Sequence, residues 1–511
     1  MSLWRRCHGV ALSALAALAV SADLVSSGSE DKVWDPPGIG VQPRHDPRMV
    51  KDLLLAGHGL FETRFNVRDG AGRPGATGDS KPTLRGAGLR FDFLRTSGPD
   101  ANSCAGCHNQ PLIGGSGDFA VNVFVGAQFR DPPTESIATE TTSERNTIGL
   151  FGAGLIEMLA VEMTRELHAQ REAALDKSKT RSGPVEVELR AKGVGFGSVV
   201  ARPDGTYDTR GLEGIDHDLV VKPFGAKGVV ISLREFTINA LNQHHGIQAM
   251  ERFGWERTGI KDFDGDGVEV EFGIGHVTAL TLFQAALPPP ARRSPRDAQE
   301  ADRSARGERL FQLVGCTECH VPELRLETTE FVEPNPYNRP GNLSPRDSEG
   351  IIRFPLPATA GVRHAPDGGL LVTAFTDFKR HRICDAADPF FCNERLRQDN
   401  VPTDQFLTAK LWDVGTSSPY GHRGDCTTVS EAIRHHSAEA RSSRDRFLDL
   451  PDEDSGAIVA FLLSLGVWDP ASKGDRNVAQ TPTVSEHLRF APSGTPRDGT
   501  GPLQRLTRHL W

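Results

Sequence analysis

The chain has 511 residues, of which 38% are hydrophobic and 24% charged, and a formal net charge of −9. That length accommodates two or three domains with cores of their own, and the composition is that of a globular protein, not a fibre or a disordered chain. The acidic balance, with no basic stripe interleaved with aromatics, excludes nucleic acid as a partner class and leaves room for a small, positively charged redox protein.

Residues 1–22 read as a secretory signal peptide: Arg5 and Arg6, a short apolar run, then small residues closing at Val20-Ser21-Ala22. The alternative is an uncleaved anchor, but the run is too short to span a bilayer. No later segment reaches ~18 uninterrupted apolar residues. The expectation is a periplasmic or secreted protein with no membrane span once the segment is cleaved.

Met49, Val50, Leu53 and Leu54 have helical spacing and lead into Gly57-His58-Gly59-Leu60-Phe61. A long Gly/Pro/Arg-rich insertion separates this helix from Cys104-Ala-Gly-Cys107-His108. Met158 and Met163 follow on a helix, read as core. Residues 183–231 alternate in places and carry an Arg-Pro-Asp-Gly turn, which predicts a small β insertion. Ser232 and Glu235 form a capping box that opens another helix, with Leu233, Phe236, Ala240 and His244 along its inward face.

Asp262, Asp264 and Asp266 start like a calcium loop with glycine at the sixth position. Gly273 stands where a bidentate Glu belongs, leaving Glu269 or Glu271 as substitutes; the alternative is an acidic surface turn. A second helix ends in Gly307-Glu308-Arg309-Leu310-Phe311, followed by Cys316-Thr-Glu-Cys319-His320. Cys384 and Cys392 are close enough for a disulfide in an oxidising compartment, which leaves Cys426 unpaired. Pro419-Tyr420-Gly421-His422-Arg423-Gly424 matches Pro223-Phe224-Gly225-Ala226-Lys227-Gly228, and each is followed by a capping box, here Thr428 with Glu431. Residues 454–466 read as a closing helix with a C-terminal glycine, and 471–511 as an extended tail.

The two CxxCH motifs carry the chemistry. In this spacing two thiols add to the vinyl groups of haem while the adjacent histidine reaches the iron. Structural zinc and a redox-active CxxC are the alternatives. The first does not need a histidine directly after the second cysteine at sites more than 200 residues apart, and the second needs no such histidine at all. The reading is therefore two covalently bound c-type haems, with Cys104, Cys107, Cys316 and Cys319 as attachment points and His108 and His320 as iron ligands.

Both motifs sit in the same order of features: helix, CxxCH, capped helix. Two homologous units follow, 45–290 and 291–470, in a mainly α fold of two cytochrome c-like haem domains with long loops and a small β insertion. In the second unit Val429, Ala432, Ile433 and His436 form one helical stripe from which His435 is rotated away. His436 is either a satisfied core residue or the sixth ligand of the second haem. The equivalent position in the first unit is Ala240, which cannot bind iron, and His244 lies one turn further on. One saturated haem and one open haem is how an electron-fed oxidoreductase is arranged.

The segments GPDANSCAGCHNQP, LFQLVGCTECHVPEL and KLWDVGTSSPYGHRG followed by EAIRHH resemble the bacterial di-haem cytochrome c oxidoreductases. These are peroxidase-like relatives of the di-haem cytochrome c peroxidases and of the di-haem enzyme that matures methylamine dehydrogenase. The resemblance covers roughly 45–470. It implies that His436 is the far-side ligand of the C-terminal haem, that His422 lies near that haem, and that peroxide or a small organic molecule is the substrate. It also implies a small redox protein as electron donor. The chain departs from the pattern at Ala226, where relatives carry a tryptophan between the haems, and at His244, about where they carry an acidic residue. Histidine at 244 either moves a proton during O–O cleavage or ligates the iron and blocks it. Two further readings stand beside the enzyme: a pure electron-transfer cytochrome with both irons six-coordinate, and a binding or assembly protein whose haem is structural.

Overall fold

The computed structural model describes residues 47–72, 101–118, 120–124, 142–348, 350–357, 362–394 and 396–467. The signal segment, most of the first insertion and the tail from 471 lie outside them. Both CxxCH motifs fall in one compact unit, Met1–Val478.

Helix α1 (Pro47–Glu62) buries Val50, Leu53, Leu54, Leu60 and Phe61, the face its apolar spacing requires. Helix α2 (Ala153–Arg181) buries its apolar first half, including Met158 and Met163, and runs out to solvent. The insertion follows as a hairpin, β1 (Val185–Ala191) and β2 (Val194–Ala201), with β3 (Tyr207–Asp208) on its edge. Lys192 and Gly193 both take positive φ (50° and 83°), as a tight primed turn between twisted strands demands.

Helix α3 (Leu233–Ala240) starts on the expected cap, Ser232 Oγ accepting from the Glu235 amide at 3.1 Å, but Glu235 reaches past the cap and accepts from the Ile231 amide at 2.7 Å. After α4 (Ile274–Ala286) and α5 (Ala298–Leu313), α6 (Val429–Arg434) repeats the device. There Thr428 accepts from Glu431 at 3.1 Å, and Glu431 accepts from the Thr427 amide at 2.8 Å. The last helix, α7 (Asp452–Leu462), stops before Gly466. That glycine does not cap it: Leu465–Gly466 leave as a short strand paired with Ala291–Arg292, whose hydrogen bonds take over from the helix.

The sequence repeat is a structural one. α1 crosses α4 where Gly57 meets Ala279, and α5 crosses α7 where Gly307 meets Ala457. A Cβ on either glycine would lie 2.0 Å from the Ala279 oxygen or 1.9 Å from the Ala457 oxygen. Glycine is required because two helix backbones touch there. Four residues after each glycine stands a phenylalanine, and four after each alanine stands another. Phe61 lies 5.2 Å from Phe283, and Phe311 lies 5.5 Å from Phe461, centroid to centroid.

The expectation of a mainly α protein is corrected. Of the described residues, helix accounts for 37% and strand for 17%. Among the described residues, fourteen strands form six sheets of two or three strands, so the fold is mixed. Much of the strand lies between His320 and α6, in pairs such as Glu330–Glu333 with Ile352–Pro355 and Arg380–Arg382 with Gln405–Leu407. Strands of three or four residues are too short to show a period of two in a sequence.

Candidate haem sites

Cys104–Cys107 form a single helical turn, capped by Ser103, whose Oγ accepts from the Gly106 amide at 3.1 Å. His108 closes the turn, donating its amide to the Cys104 carbonyl at 3.0 Å. Its Nδ1 lies 3.1 Å from the Gly115 carbonyl. A carbonyl only accepts, so Nδ1 carries the proton and Nε2 is left as the bare, metal-binding nitrogen. Burial pushes the His108 imidazole down to about 4, and His244 is close enough to add to that as a like charge. The ring is therefore neutral near pH 7, the form that binds iron. Phe61 stands 6.1 Å away.

The second motif repeats this with different elements. His320 donates its amide to the Cys316 carbonyl at 3.0 Å, and its Nδ1 donates to the Phe375 carbonyl at 3.2 Å. Burial holds its imidazole at about 4, with His436 as the next cause. Phe311 lies 6.3 Å from it. His436 also has its Nδ1 tied to a carbonyl, that of Ala432 at 2.7 Å, and so presents a bare Nε2. His436 lies near enough to His320, and His244 to His108, to act on that imidazole as a like charge.

Two details differ from the sequence reading. α6 ends at Arg434, so His436 lies just beyond the helix and His435 is the cap. The stripe of Val429, Ala432 and Ile433 points the chain the right way, but loop contacts set the histidine. In the first unit α3 continues as a π-helical turn, Leu241–His245, the kind of bulge that re-aims side chains at functional sites. It carries a histidine doublet, and the reading named only its first member. His245 is buried, donates Nδ1–H to the Ala101 carbonyl at 2.6 Å, and lies 3.8 Å from Cys104 Sγ. The shared doublet in LNQHHG and AIRHHS was the available signal.

None of the four motif cysteines is in a disulfide, and burial pushes Cys104 and Cys316 up to about 12. Four thiols outside any disulfide, each pair beside an imidazole with Nδ1 tied and Nε2 bare, are the donor set that two c-type haems need. Sequence reasoning did not find the group beside Cys319: His381 bridges Asp377 and Glu439, 2.8 Å from each.

His422 has a side chain 3% exposed, stacks on Phe406 at 4.2 Å, and donates Nε2–H to Asn393 at 2.7 Å. It shares a buried cluster with Glu394, Lys227 and Arg145, which joins the two matching turns. Ala226, next to Lys227, accepts from the Leu407 amide at 2.9 Å. Cys384 and Cys392 form a disulfide, and Cys426 is a buried free thiol. Asp262, Asp264 and Asp266 bring carboxylate oxygens within 4.8 Å of one another. Glu269 instead faces Lys261 at 3.7 Å, and Glu271 accepts from the Gln248 amide at 2.7 Å.

No family model and no curated protein matches the chain. Among solved structures, hydrazine synthase of Kuenenia stuttgartiensis, pressurized with xenon, is similar at 14% identity and a TM-score of 0.35, covering 86% of this chain and 98% of that one. A MauG-like protein associated with microbial copper homeostasis is similar at 15% identity and a TM-score of 0.23, covering 60% and 88%. Likenesses of this size carry no argument, and the functional reading rests on the residues. No helix among the described residues is long and apolar enough to cross a membrane.

Proposed function

We propose that the chain is an exported di-haem c-type oxidoreductase that takes electrons from a small redox protein and reduces peroxide or oxidises a small organic substrate. The observation that carries this reading is the arrangement repeated at the two CxxCH motifs, where His108 and His320 each tie Nδ1 to a backbone carbonyl and leave Nε2 bare, with His436 held the same way by Ala432. Cys104, Cys107 and His108 would hold one haem, and Cys316, Cys319 and His320 the other; when bound, such groups supply one-electron transfer and activation of the O–O bond.

This chain's residues divide the work. Gly115 and Phe375 fix the tautomers of His108 and His320, so each offers Nε2 without rotating. His436, held by Ala432, would serve as the second ligand of the C-terminal site and keep it for electron relay. His244, on the π-helical turn and near enough to His108 to act on it as a like charge, would move a proton to or from the substrate oxygen. Peroxide reduction takes up two electrons and two protons to give two waters, and His244 is the proposed proton carrier. Calcium at Asp262, Asp264 and Asp266 belongs to the same proposal as a structural ion.

A second reading is favoured by the same symmetry: if His244 ligates as His436 does, both sites are six-coordinate and the protein only carries electrons. The ferric spectrum decides between them. One high-spin and one low-spin haem, with peroxide and cyanide acting on the first, supports the enzyme. Two low-spin haems inert to both would sink it, and His244→Ala opening the first would then establish the carrier.

A further inference from the structure

His436 lies outside any helix, yet its ring must be held in place for the role proposed above. The residues that hold it come mostly from one loop, Cys384–Cys392, closed on itself by the disulfide. Phe390 stacks on His435 at 3.7 Å and 8°, and Phe391 meets the His436 ring edge-on at 6.2 Å. Asp388 lies 3.4 Å from His435 Nδ1. Asp385 accepts from Ser437 Oγ at 3.2 Å and from Arg441, while the fully buried Ser437 donates its amide to the Ile383 carbonyl at 2.9 Å. Residues 435, 436, 437 and 441 are thus gripped by one nine-residue ring.

We propose that the Cys384–Cys392 loop is the positioning element for His436, and that opening its disulfide loosens the histidine from the C-terminal haem. This rests on the reading of His436 as an iron ligand. The two sulfurs differ in access. Cys384 is buried under Phe391 and Cys426, whereas Cys392 is exposed. A dithiol reductant reaches Cys392 first: its thiolate bonds to the Cys392 sulfur, the S–S bond breaks and Cys384 leaves. The reductant's second thiol then closes its own disulfide and releases Cys392. Two electrons and two protons pass to the protein, giving two thiols. Reduction therefore cuts the covalent ring while every side chain around His436 remains.

The test uses the purified ferric holoprotein. It is treated with a dithiol, alkylated at Cys384 and Cys392, freed of reagent and reoxidised at the haems; a Cys384→Ser/Cys392→Ser variant runs alongside, and His436→Ala defines the spectrum of an unligated C-terminal site. Apparent cyanide affinity at that site scales with the fraction of open iron, so it should rise at least about tenfold on opening the ring, with a matching gain of high-spin signal. If His436→Ala opens the site but neither the alkylated protein nor the serine variant changes cyanide affinity, the positioning role is overturned and the ligand reading stands. If His436→Ala leaves the site low-spin, the ligand reading fails and the proposal falls with it. Should the serine variant fail to take up haem, the alkylated protein decides alone.

Discussion

Glu394→Gln removes a negative charge buried among cations. The Glu394 side chain is 1% exposed and pairs with Arg145, with Lys227 at 3.6 Å and with His422 at 3.7 Å. Lys227 is itself 0% exposed and donates to the Pro402 and Thr403 carbonyls. Breaking a buried ion pair from one side costs about 3–5 kcal/mol because the other charge stays desolvated. The amide preserves shape, so the lower end, about 3 kcal/mol, is expected. The loss also depends on pH. Burial, then Arg145, hold Lys227 at about 8 while Glu394 opposes them. An unfolded lysine sits near 10.4, so the unfolded chain binds more protons and stability rises with pH above about 8. Without Glu394 that rise begins lower, and the variant's deficit should narrow by about 1 kcal/mol between pH 7 and pH 9. Urea unfolding followed by tryptophan fluorescence at the two pH values measures both quantities. A deficit under about 1 kcal/mol at pH 7, or one that widens at pH 9, refutes the reasoning.

Further outcomes follow from other contacts. Gly57→Ala and Gly307→Ala should each destabilise by about 1–3 kcal/mol through overpacking, although helix propensity alone predicts a gain of about 1 kcal/mol; thermal or urea midpoints give the sign. His422 is held at about 2 by burial and then by Arg145, Lys227 and Arg423. Its folded value lies below the unfolded 6.5, so its contribution is complete above that pH and lost on acidification. The loss is about 2–3 kcal/mol by pH 4.5, and His422→Asn should flatten the pH–stability curve there. Calcium added to chelated protein should raise the melting temperature, and Asp264→Asn should abolish the rise; an unchanged midpoint in the parent protein assigns the loop as an acidic turn.

Much of the candidate site is legible from local spacing. A thiol pair with an adjacent histidine is a contiguous motif, and the helix caps at Ser232 and Thr428 bond residues three further on, so both follow from sequence. The matching of Gly57-x-x-x-Phe61 with Gly307-x-x-x-Phe311 is equally local. What each glycine touches is not: Ala279 and Ala457 lie 222 and 150 residues away, and only the crossing of helices shows why no side chain fits. Likewise, His436 was placed by helical phase, but α6 ends two residues short of it. Its surroundings come from a loop about fifty residues earlier, so no pattern within the window could reveal them.

The sequence by itself determined the two CxxCH motifs, the matching segments around them and the helix starts, because these depend on neighbours along the chain. Tertiary structure alone decided which carbonyls hold His108, His320 and His436, that Glu394 ties the two matching turns together, and that short strands fill the C-terminal half. The Phe375 bond to His320, the Glu394 cluster and the strand pairings join residues far apart in sequence, and chain order does not encode which distant groups burial will bring together.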